Sequence, residues 1–146
     1  MAEYTFPYLT SVIGVRDEVS GEHIGSGLRC VLDGRRAIIT AMHVVETGKQ
    51  YPGGFAVSTG YASRPYRVHG QVQCNQTGDL ALYYLPDDFP FSNPDIAFWP
   101  QEMIEPSSDR LSTDYLFVHG FPAARSQFFQ IVQGDASKSR PFVGEW

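Results

Sequence analysis

Polar and apolar positions alternate most clearly over residues 66–74, where Tyr66, Val68, Val72 and Cys74 share one face and Arg67, His69, Gln71 and Gln73 the other. A period of two marks a strand with one side in a core and the other in water. Five further runs rich in β-branched or aromatic residues have strand length: 8–16, 23–32, 36–40, 54–61 and 80–85. Turn residues separate them, with Asp33-Gly34 as a two-residue hairpin signal and further turns at 48–54, 62–65 and 75–78. Six short strands joined in sequence can close on themselves and so remove the exposed edges of a flat sheet. The expected fold is all-β, an antiparallel six-stranded β-barrel over residues 1–90.

Beyond that point the texture changes. Pro86, Pro90, Pro94, Pro100 and Pro106 prevent any long regular element, and residues 91–112 are read as a connector between barrels. Ile96, Phe98 and Trp99 are nevertheless too apolar to be left wholly in solvent. Strand texture returns at 115–118 and 127–133, and two strands cannot make a barrel alone. Residues 113–146 are therefore expected to hold the opening strands of an incomplete second barrel.

Composition narrows the function. The 146 residues carry 11 basic and 16 acidic side chains, a net charge of −5, and the basic ones are scattered rather than gathered into the stripe that nucleic acid requires. No apolar run reaches the roughly 18 residues of a membrane span, and the start MAEYTFPYLT lacks the form of a signal peptide. A cytoplasmic protein, binding neither nucleic acid nor membrane, is the expectation. The two cysteines, Cys30 and Cys74, each lie in an apolar strand-like run, which favours free, buried thiols in a reducing compartment.

One histidine stands in a context suited to chemistry. The run Ile38-Ile39-Thr40-Ala41-Met42 reads as a buried strand giving way to His43 at its rim, where a general base is held firmly with one ring nitrogen free. Such a base needs a carboxylate for its other N–H. Asp79 is the candidate, a lone acid at the mouth of the apolar run Leu80-Ala81-Leu82; the plainer reading makes it a turn aspartate capping its own backbone. His23 lies in a charged turn, His69 on the wet face of a strand and His119 beside a glycine turn, and these read as structural or solvated. His43-Val44-Val45-Glu46 has no second histidine to complete a zinc-protease helix, so neither a metal nor any other cofactor is expected.

Gly25-Ser26-Gly27, then Ile39-Thr40-Ala41-Met42-His43-Val44-Val45, then Gly78-Asp79-Leu80-Ala81-Leu82, then Val118-His119-Gly120-Phe121-Pro122 together resemble the trypsin-like, chymotrypsin-fold serine peptidases, particularly their bacterial branch. The resemblance runs from about residue 8 to about residue 134 and implies that fold, with His43 as general base and acid and Asp79 as its orienting carboxylate. Two departures accompany it. The family's Gly-x-Ser-Gly-Gly loop, which carries the nucleophile and the oxyanion-hole amides, does not occur, and Ser137 and Ser139 lack its glycines. Val44 also stands where the secreted animal enzymes have a cysteine, so their disulfide cannot form.

What the resemblance implies is a serine endopeptidase acting on a protein or peptide substrate, represented by an N-terminal part that is inactive alone because no acyl-enzyme can form without the serine. The missing C-terminal portion, or a partner chain, would complete the second barrel. A non-catalytic pseudo-peptidase that binds a protein is the alternative, and an unrelated ligand-binding barrel a more distant one. Cleavage specificity is not legible, since the family builds that pocket from the second barrel.

Overall fold

The computed structural model describes residues 6–59, 65–90 and 96–104, together with the backbone of three short strands nearer the C-terminus. Strands β1 (Leu9–Val15), β2 (Ser20–Leu32) and β3 (Arg35–Ala41) come first, followed by helix α1 (Met42–Lys49). Then come β4 (Phe55–Val57), β5 (Tyr66–Arg67), β6 (Gln73–Asn75) and β7 (Leu80–Tyr84), and finally β8 (Val118–Gly120), β9 (Phe129–Gln130) and β10 (Phe142–Gly144). The molecule is mostly antiparallel β-sheet, as the alternation and turn signals lead one to expect.

The main sheet runs β5-β4-β1-β2-β3-β7-β6, with β9 added against β2, while β8 and β10 pair separately. The hairpin between β2 and β3 turns on Asp33 and Gly34, whose φ angles are 51° and 70°. Two successive left-handed residues are what a twist-matched hairpin turn requires, and Asp-Gly supplies them at low cost. The next strand to join, β7, pairs with β3 in a register that sets Ala41 opposite Leu80 and Ile39 opposite Leu82.

The outermost strands of this order, β5 and β6, are two ends of the single segment 66–75, so the sheet curls until its edges share one piece of chain. The alternating run is thus strand only at its ends. Gly70, with a φ of 97°, breaks it in the middle, and the Tyr83 hydroxyl donates to the His69 carbonyl across the break. His69 accordingly lies off any strand, not on the wet face of one. Tyr66, Val68 and Val72 do turn to the core as the pattern requires, but Cys74 is exposed, contrary to its expected burial. It lies on the short edge strand β6, opposite Ala81 of β7, with no further strand among the described residues beyond it to cover it.

Inside the curl lies the core: Val12, Ile38, Val44, Val45, Phe55, Val57, Ala81, Tyr83, Leu85 and Phe89. Cys30 is a free and buried thiol, as expected, and burial pushes it up to about 11. His23 differs from its expected place in a charged turn. It is buried within β2, opposite Ile13, with Nδ1 2.6 Å from the Ser11 hydroxyl. Of the connector residues, Ile96, Phe98 and Trp99 are all half-buried, and Trp99 bonds the β2 backbone on both sides of Cys30. Of the expected strands at 115–118 and 127–133, Val118 falls in β8 and Phe129–Gln130 form β9; the rest of both runs lies outside the described residues.

Candidate functional site

Strand β3 ends at Ala41, and the chain turns at once into α1, so His43 stands in the first turn of a helix and not on the end of a strand. Valines 44 and 45 and Gly48 form the buried side of that helix, and Val45 is fully covered. Eight residues are too few for a helix to persist in water unaided. Packing and the cap therefore decide where it sits, and both bear directly on His43.

The position before the helix is Ala41, whose side chain has no oxygen to offer the free N–H groups of the first turn. Asp79 supplies the cap from 36 residues away. Because Ala41 pairs with Leu80, the residues next along each strand, Met42 and Asp79, are brought together. Asp79 takes a left-handed backbone, with a φ of 47°, a conformation that aspartate tolerates better than most side chains. Its carbonyl accepts the Met42 N–H at 3.0 Å and its Oδ1 the His43 N–H at 3.0 Å. The preceding turn is closed by Asn75, whose side-chain oxygen accepts the Gly78 N–H at 3.1 Å.

The second carboxylate oxygen of Asp79, Oδ2, lies 2.6 Å from His43 Nδ1. An ionised carboxylate only accepts, so the proton of this bond is on Nδ1 and, in the neutral ring, Nε2 carries the lone pair. The backbone N–H of His43, its ring and the Met42 N–H together hold the Asp79 carboxyl below the usual range. Proximity to the positive end of α1 acts in the same direction. One residue thereby fixes the helix start, the ring orientation and the tautomer.

Both side chains are open to solvent, His43 at 68% and Asp79 at 50%. An ion pair in water contributes little by itself, and proton transfer is better supported in a site from which water is excluded. The pair is therefore an oriented imidazole and carboxylate left uncovered among the described residues. A shallow depression of about 330 Å³ borders its Asp79 end, lined by Leu32, Ile39, Cys74, Leu80 and Leu82, with Leu80 51% exposed.

Both residues expected from the sequence are thus brought into direct contact. The helix that carries His43 was not among the expected elements, although Val44, Val45 and Gly48 fall at helical spacing. No His, Cys, Asp or Glu cluster among the described residues is arranged to hold a metal, and no described helix is long and apolar enough to cross a membrane. The chain matches no protein-family profile, no curated protein and no solved structure.

Proposed function

We propose that this chain carries the base half of a trypsin-like serine endopeptidase, with His43 as general base and acid and Asp79 as the carboxylate that orients it. The observation that carries the reading is the bond from Nδ1 to Asp79 Oδ2, which leaves Nε2 as the proton acceptor on the open side of the ring. The sheet order supports the corresponding chymotrypsin-like barrel, since β5 and β6, its two edges, belong to one segment.

In this reading Nε2 removes the proton of a serine hydroxyl as that oxygen attacks the peptide carbonyl. The imidazolium so formed is stabilised by ionised Asp79 and later gives its proton to the leaving amine. No Gly-x-Ser-Gly-Gly loop occurs in the sequence, so the serine and the oxyanion hole are contributed from outside these residues. A protein partner or a further segment that roofs the pair also provides the dry surroundings that the chemistry requires. The substrate is a protein or peptide, and the reaction needs no cofactor.

Labelling of the gene product that contains this chain by a fluorophosphonate probe, and a peptidase activity that falls by about 10⁴-fold or more in His43→Ala and about 10⁴-fold in Asp79→Asn, are the expected results. Intact activity in His43→Ala would remove the reading. The missing loop favours a second one, a pseudo-peptidase that binds a protein through the same face. Absence of labelling, together with a reading frame that closes without a Gly-x-Ser-Gly-Gly segment, would select it.

A further inference from the structure

We propose that Gly25 is a positioning residue for His43, setting how closely the helix that bears the histidine approaches the sheet; this rests on the reading of His43 as an oriented base. Strand β2 carries an irregularity at this point. Val12 of β1 pairs with Gly25 but Ile13 pairs with His23, so Ile24 is an extra residue in β2. Such a bulge bends its strand and re-aims what lies beside it. The bend brings Gly25 against Val44, the residue that follows His43.

The contact leaves no room for a side chain. A Cβ at Gly25 would stand 2.6 and 2.7 Å from the two Val44 methyls and 3.3 Å from Val44 Cβ. Val44 is 5% exposed and packed in the core, and a β-branched side chain in a helix has essentially one rotamer. The valine cannot swing aside, so an added methyl must displace the helix backbone. The need for glycine here is steric, because Gly25 is not among the residues with a positive φ, and its backbone conformation is open to alanine.

Displacement of the first turn acts directly on the base. The two bonds from Asp79 to His43, 2.6 and 3.0 Å long, are fixed from the other side by the pairing of β7 with β3. Moving the helix away from Gly25 separates His43 from a carboxylate that does not follow it. The far end of α1 is held independently, by Phe55 against Gly48, so the helix tilts about that end without leaving the sheet.

The test uses the 146-residue chain and NMR of its histidines, and it needs no enzymatic activity. The unaltered chain is expected to show a strongly downfield Nδ1 proton that disappears in Asp79→Asn, with the nitrogen shifts of the Nδ1–H tautomer. In Gly25→Ala that resonance is lost or greatly weakened, the Nε2–H tautomer gains population, and thermal unfolding stays cooperative. Gly25→Ala with Val44→Ala, which removes the two clashing methyls, restores it. A wild-type resonance and tautomer in Gly25→Ala would overturn the proposal, as would a folded double variant without the resonance. If Gly25→Ala does not fold, the double variant decides alone; failure of both to fold would make Gly25 a requirement of the sheet and overturn its positioning role. Absence of the resonance from the unaltered chain would overturn this proposal together with the reading of the pair.

Discussion

Asp79 carries out three tasks with three oxygens: its carbonyl caps Met42, Oδ1 caps His43 and Oδ2 holds the imidazole. The two made by the carboxylate are strongest when it is ionised, and they hold its folded pKa below the usual carboxylate range. Folding therefore favours the deprotonated form. The stability it contributes is complete above the unfolded pKa and is lost as pH falls through the lower, folded one. Asp17 and Glu22 are lowered for the same kind of reason, by Ser20 and by Arg16 respectively, and act in the same acid window. Asp79→Asn is expected to flatten part of the loss of urea midpoint below about pH 4, the two other carboxylates leaving the remainder. An unchanged acid slope in the variant would show that the pair contributes no linkage. His43 and Asp79 were legible because each stood beside an apolar strand run. Cys74 was misplaced because period-two alternation assigns a face without saying what covers it, and His23 because its charged neighbours suggested a turn where β2 runs through.

Helix α1 shows why elements were harder to read than residues. Its eight residues follow a β-branched strand without a break, and the cap that starts it comes from Asp79, so no local signal marks the boundary. The segment 66–75 fails in the opposite sense. Its alternation is real, yet Gly70 lets it leave one neighbour, β4, and join another, β7. Gly48 makes the helix testable. On propensity alone Gly48→Ala would stabilise by about 1 kcal/mol. Its Cβ would, however, lie 2.7 Å from Phe55 Cβ and 2.9 Å from the adjoining ring carbon. Overpacking of this kind costs about 1–3 kcal/mol, so the expected outcome is a lower midpoint in chemical denaturation. A rise would mean that the helix is free to shift.

At the scale of the whole molecule, Arg29 draws distant segments together. It is 2% exposed, and its guanidinium donates to the carbonyls of Pro7 at 3.0 Å and Ser58 at 2.9 Å. Burial pushes it down to about 10, and its buried Nε has no hydrogen-bond partner. Each carbonyl keeps another donor: Ala97 N–H reaches Pro7 at 3.0 Å, and the Thr10 hydroxyl reaches Ser58 at 3.0 Å. Replacing the cation by an apolar chain of similar length thus orphans no acceptor and relieves a desolvated charge. Arg29→Met is expected to stay within about 1 kcal/mol of the parent, whereas Arg29→Ala loses about 2–4 kcal/mol to the cavity, both by urea denaturation. A large loss in Arg29→Met would show that the charge itself is needed. None of this is legible in the sequence, where Arg29 is one cation within an apolar run and its partners lie more than twenty residues away on either side.

The 36-residue separation of His43 and Asp79 also has a consequence in time. Synthesis proceeds at about 5–20 residues per second, so the histidine precedes its carboxylate by seconds on the ribosome. Until β7 has emerged and paired with β3, the first turn of α1 has no cap and its imidazole no fixed tautomer. The nascent chain carries an unoriented imidazole, and completion of the sheet is the event that fixes its direction.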